Sequence, residues 1–158
     1  MTVTKARYAR PQVWLHWLTV LLLLVSLISH DAMEDAWDLV EDGGAAVGAL
    51  PHRLAGVAIL FLTLARLVLR MRYGAPPEPP MPPLMALAAT FSHIALYALL
   101  IILPILGLTA WVGGVEAAAE LHGTLVWLLW IIVVLHVAAA LFHQFVRRDG
   151  LMGRMMRF

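Results

Sequence analysis

Apolar and polar positions in this chain separate into long blocks. Four apolar stretches, at about residues 12–29, 50–70, 87–111 and 121–146, are divided by short polar segments. A helix needs about 20 mostly apolar residues to cross the hydrocarbon core of a bilayer. Only helices and closed barrels satisfy every backbone N–H and C=O in lipid, and these blocks lack the two-residue alternation of barrel strands. The pattern therefore predicts an all-α fold, a four-transmembrane-helix up-and-down bundle, as one membrane domain over residues 1–158. Pro104 followed by Gly107 predicts a kink in the third helix. Trp14, Trp17, Trp111, Trp127 and Trp130 are read as interfacial anchors, mostly towards helix ends.

The loops carry the charge, and its segregation orients the bundle. Lys5, Arg7 and Arg10 precede the first helix, Arg66, Arg70 and Arg72 close the second, and Arg147, Arg148, Arg154 and Arg157 follow the fourth. Helices that alternate up and down put all of these on one side, with Arg53 on the other. Asp31, Glu34, Asp35, Asp38, Glu41, Asp42, Glu116 and Glu120 fall opposite. The bias of Lys and Arg towards the cytoplasm predicts that both termini are cytoplasmic and that the acidic loops face the periplasm or cell exterior. The apolar run after Lys5, Arg7 and Arg10 is long for a signal-peptide core of about 7–15 residues and is read as a retained helix. The proline-rich segment 74–83 is expected to be an extended cytoplasmic spacer.

Composition narrows the chemistry. The chain is 62% hydrophobic and 13% charged, against about 45–50% and about 25% in soluble domains, so the lipid membrane is its first partner and no nucleic acid is expected. There is no Cys, which excludes disulfides, iron–sulfur clusters and covalent haem attachment.

Seven histidines remain. Six of them, His16, His52, His93, His122, His136 and His143, lie within or at the edge of the spans. Ionisable residues inside membranes are rare and mark function. His122 and His136 are fourteen residues apart on one helix, about 21 Å along the axis and on nearly the same face. One helix thus offers imidazole at two depths. His52 opens the second helix at the depth of His122, and His16 lies at the depth of His136. Two bis-histidine sites follow, each suited to a non-covalent haem b whose filled axial positions leave none for O2. The inner partner of His16 stays open at this point, because His143 and His93 compete with His136. Gly56, Gly123 and Ala138 to Ala140 leave room for a flat macrocycle. Arg53 is a candidate for the outer haem propionates, and Arg7, Arg10 or Arg66 for the inner haem or lipid headgroups.

The stretches Arg7-Tyr8-Ala9-Arg10-Pro11-Gln12, Leu15-His16-Trp17-Leu18, His52 with Gly56, and Arg66-Leu67-Val68-Leu69-Arg70 carry a family likeness. So do Ser92-His93-Ile94-Ala95-Leu96-Tyr97, Leu103-Pro104-Ile105-Leu106-Gly107, Leu121-His122-Gly123-Thr124-Leu125, the run from Leu135 to His143, and Arg154-Met155-Met156. Here the chain resembles the bacterial cytochrome b561 family over about residues 7–158. The resemblance implies a cytoplasmic-membrane cytochrome with two haem b, held by His16 with His136 and by His52 with His122. It also implies electron exchange with ubiquinone, with His93 and His143 near the inner haem. Some members look like superoxide oxidases, so the resemblance leans towards a superoxide:ubiquinone oxidoreductase. The acidic outer loop departs from that reading, since it repels superoxide and better suits a cationic redox protein. Two other functions fit the pattern: a cytochrome b subunit that anchors and wires a dehydrogenase or hydrogenase, and a haem-free metal or proton transporter.

Overall fold

The computed structural model describes residues 7–41 and 47–156; Lys5, Asp42 and Arg157, used above to orient the chain, lie outside the described residues. The helices are α1 (Arg10–Ile28), α2 (His30–Glu41), α3 (Leu50–Tyr73), α4 (Pro83–Gly113), α5 (Glu116–Phe142) and α6 (Gly153–Met156). A 3-10 turn (Val47–Ala49) precedes α3 and a π-helical turn (His143–Arg147) ends α5. No strand occurs among the described residues. α1, α3, α4 and α5 are the four helices long and apolar enough to cross a membrane.

Local chemistry sets their limits. Pro11, Pro51 and Pro83 stand in first turns, where a missing N–H leaves no hydrogen bond unmade. At the start of α1, the Gln12 Oε1 accepts the Ala9 N–H at 3.0 Å. Gly74 (φ 70°) ends α3 and Gly114 (φ 64°) ends α4, a backbone region that side chains disfavour. The expected spans were short at several ends: α4 starts at Pro83 rather than 87, and α5 starts at Glu116 rather than 121. Ala and Glu are good helix formers, so helix continues past the apolar block at 116–120. α2 was not foreseen, because its charge hid its Ala32/Ala36 and Met33/Trp37 spacing. Trp127 and Trp130 also depart from expectation, lying near the middle of α5 and not near its ends.

α3 packs against α1 and against α4, and α4 packs against α5. The enclosed core is small: Ile59, Leu99, Leu100, Leu103 and Leu129. The outward faces are apolar, with Trp127 76% and Phe61 66% exposed, as lipid-facing surfaces must be. Thr19 and Thr63 are fully enclosed. Thr19 Oγ1 donates to Leu15 O at 2.7 Å, whereas Thr63 Oγ1 has no protein partner.

Side chains tie the basic end together. Gln12 Nε2 donates to Gly74 O (3.1 Å), Trp17 Nε1 to Met155 O (2.7 Å), and Arg147 Nη2 to Pro80 O (2.7 Å). Arg154 donates to Pro77 O. The segment before Pro83 is extended, but it is a strap bound at both ends and not a free spacer. At its C-terminal anchor His143 is buried, and its Nδ1 lies 2.6 Å from Asp149 Oδ2, which also accepts from Arg147 Nε. Arg148 (φ 54°) bends the chain so that Asp149 returns to this pair. Burial works to raise the Asp149 carboxyl, but hydrogen bonds from His143, Leu151 N–H and Arg147 outweigh it and hold the group below the usual carboxylate range.

Two outcomes follow. Thr63→Val should stabilise the detergent-solubilised protein by about 1 kcal/mol, because it removes an unpaired buried hydroxyl at constant shape; thermal unfolding measures this. The folded chain binds Asp149's proton more weakly than the unfolded chain does. Its contribution to stability is therefore complete above about pH 4 and fades as pH falls through the lowered folded value. Asp149→Asn should remove that part of the acid dependence in melts taken between about pH 2 and pH 5.

Candidate functional site

Five of the seven histidines fall into groups at the two ends of the bundle. At the acidic end, His52 in the first turn of α3 faces His122 of α5, with ring centroids 6.3 Å apart and planes at 65°. Each ring is anchored by a third helix. His52 Nδ1 lies 3.1 Å from Ser26 O of α1, and His122 Nδ1 lies 2.9 Å from Leu103 O of α4. A carbonyl oxygen only accepts, so both Nδ1 atoms carry the proton and both Nε2 atoms keep a lone pair. Two imidazoles bound to opposite faces of one metal ion, with bonds of roughly 2.0 Å and about 1.1 Å from nitrogen to ring centre, have centroids about 6.2 Å apart. Spacing and tautomer both fit a haem iron between these rings.

Around this pair, Arg53 does not stand free. Its guanidinium carbon lies 4.6 Å from the centre of the Trp111 ring, and Trp111 in turn contacts Trp37 of α2 at 6.0 Å. Arg53 and the two tryptophans thus pin α2 over this end. Asp31, Glu34, Asp35 and Asp38 of α2 are exposed there.

At the basic end three imidazoles gather. His93 of α4 and His136 of α5 have ring centroids 5.4 Å apart. His16 of α1 lies within electrostatic reach of both. His93 Nδ1 bonds Ala89 O at 2.7 Å, which leaves its Nε2 with a lone pair. His16 differs, because its Nδ1 accepts from Arg66 Nη2 at 3.1 Å. A guanidinium only donates, so the proton of neutral His16 sits on Nε2. Arg66 also lies 5.5 Å from the centre of the Tyr97 ring, and it has no carboxylate partner among the described residues.

Beside this cluster is a cavity of about 310 Å³ between α3, the proline strap and α4. Arg70, Glu78, Thr90, His93 and Tyr97 contribute its polar lining, and Leu67 and Ile94 its apolar lining. His143 is not part of the cavity wall; it is committed to Asp149. Arg10 is exposed in the first turn of α1 and makes no hydrogen bond or ion pair among the described residues. Gly56 and Gly123 face open space, whereas Gly107 abuts the His122 ring.

Sequence reasoning missed the carbonyls of Ser26, Ala89 and Leu103, which carry no side-chain signal. It also missed Tyr97 as a partner of Arg66 and Asp149 as a partner of His143. Asp149 is the one acid within the basic C-terminal run, and that oddity was the available clue.

Comparison with known proteins agrees with this architecture. The family model described as prokaryotic cytochrome b561 matches residues 7–158. Cytochrome b562 of Cereibacter sphaeroides is 39% identical over 152 residues, spanning 95% of this chain and 95% of that protein. A family match over nearly the whole chain joins four membrane-length helices and facing imidazoles at both ends, and the chain belongs to the prokaryotic cytochrome b561 family of haem-carrying electron-transport proteins of the membrane.

Proposed function

We propose that this protein is a di-haem carrier of single electrons between a one-electron donor at its acidic face and the quinone pool at its basic face. It acts in the cytoplasmic membrane of a bacterium, with both termini cytoplasmic and α2 in the periplasm. The observation that carries this reading is the pair of histidine groups fourteen residues apart on α5, each facing an imidazole from another helix. Haem b bound in both groups supplies one-electron redox chemistry. His52 and His122 hold the outer group, each through Nε2. His16 and His136 hold the inner one. Were His16 to bind haem through Nε2, its proton would sit on Nδ1 and Arg66 would have to give up its bond to that nitrogen. His93, whose Nε2 is unengaged by the protein, is the rival ligand.

The cavity beside His93 suits a quinone headgroup. Leu67 and Ile94 pack against the ring, Tyr97 and Thr90 offer hydroxyls to its carbonyls, and His93 is placed to exchange a proton. Quinone reduction consumes two electrons and two protons, and quinol oxidation returns them. The outer reactant is set by charge. Exposed Asp31, Glu34, Asp35 and Asp38 attract a cationic redox protein and repel superoxide.

A reduced-minus-oxidised spectrum with a haem count should give two haems per chain. His122→Ala and His136→Ala should each lose one, and unchanged content in both would sink the ligand assignment. His93→Ala should keep both haems while slowing quinol oxidation about tenfold or more, in line with the loss of a general acid–base group; loss of a haem there would make His93 the ligand. Raising ionic strength should slow reduction by a small cationic redox protein and should not slow reduction by superoxide, in stopped-flow measurements.

A further inference from the structure

α4 supplies neither member of the outer histidine pair, yet one of its turns touches His122 at two points. Leu103 O accepts the His122 Nδ1–H at 2.9 Å. One turn later, a Cβ placed on Gly107 would sit 3.4 Å from both Cε1 and Nδ1 of the same ring. We infer that residues 103–107 of α4 are a positioning element for His122, in which the Leu103 carbonyl sets the ring's tautomer and basicity and the bare Gly107 admits the ring to that carbonyl. This rests on His122 being an axial ligand, as proposed above.

The glycine needs a reason. Within a helix Gly is disfavoured relative to Ala, and Gly107 lies inside α4 with no positive φ to require it. Gly56 and Gly123, also inside spans, would meet nothing within 4 Å. Gly107 is thus the glycine whose missing side chain is matched by a histidine ring. Its partner acceptor is equally specific. A carbonyl oxygen has two lone pairs, so Leu103 O can serve both the helix ladder and the ring. Because that acceptor is backbone, no side-chain change at Leu103 deletes it. Gly107 is the position through which the bond can be altered.

The consequence is electronic. A hydrogen bond from the distal N–H to a carbonyl raises the basicity of a ligating imidazole, and a more basic ligand favours the ferric state and lowers the midpoint potential. A Cβ at Gly107 only reaches ordinary van der Waals contact with the ring, so alanine fits, but the branched side chain of valine should push the ring away from Leu103 O, weaken the bond, and raise the midpoint of one haem. A glycine kept only for close packing of α4 on α5 would leave that midpoint where it is.

Redox titration and low-temperature EPR of the purified, haem-loaded protein test this with Gly107→Ala and Gly107→Val. Both variants should keep two haems. In the valine variant the midpoint of one haem should move positive and its largest g value should shift while the other haem stays unchanged, and the alanine variant, whose Cβ only touches the ring, should stay close to the unsubstituted protein. If the valine variant does not assemble, Gly107→Ser carries the same expectation, because a helical serine hydroxyl can bond the carbonyl four residues back and so compete for Leu103 O. Unchanged midpoints and g values in a two-haem Gly107→Val or Gly107→Ser variant would overturn the inference, as would a shift confined to the haem that His136→Ala removes. His122→Ala separates the two levels. Retention of both haems there defeats the ligand assignment itself, whereas loss of one haem with a silent Gly107→Val or Gly107→Ser variant defeats the positioning role alone.

Discussion

Inside a bilayer a polar group finds no water, so every buried N–H must find its acceptor within the protein. That constraint organises this molecule. The four long helices answer it for the backbone. The histidines answer it one by one, and their answers differ: His52, His93 and His122 each direct Nδ1–H to a carbonyl, while His16 is held by the Arg66 guanidinium. A choice of partner for one nitrogen settles which nitrogen is left with a lone pair. Under the ligation proposed above, a hydrogen bond made for reasons of solvation becomes a determinant of ligand chemistry.

The two ends of the bundle meet the constraint unequally. At the acidic end both rings are braced by helices that do not carry them, α1 for His52 and α4 for His122. That bracing preorganises the pair, since neither ring is free to turn without losing its bond. At the basic end three imidazoles and one arginine share a region with fewer fixed partners, and a cavity opens beside them. A rigid end and an adaptable end suit the exchange proposed above, with a docked partner on one side and a diffusing small molecule on the other.

The core is small, and the helices are held as much at their ends as along their lengths. Trp17 reaching Met155, Gln12 reaching Gly74, and Arg147 and Arg154 reaching the proline strap gather α1, the α3–α4 connection and the C-terminal segment at one end. Arg53, Trp111 and Trp37 do the same for α2 at the other. Lipid supplies no hydrophobic drive for helix association, so polar ties and close packing carry more of the load. The loops are therefore part of what keeps the histidines at their depths.

The amino-acid sequence by itself determined the four spans, the separation of basic from acidic ends, and the two depths of imidazole on α5. These follow from block length, charge bias and helical rise, all of which are periodic and local. His52 facing His122 was legible for the same reason. Tertiary structure alone decided the rest, because the rest depends on atoms the one-letter code does not distinguish. The carbonyls of Ser26 and Leu103 are common to every residue type, and only packing selects them. His93 comes against His136 because α4 lies beside α5, a neighbour relation that spacing cannot reveal. Asp149 meets His143 only after a π turn and the left-handed Arg148 reverse the chain, and α2 was masked by the same acids that mark its face.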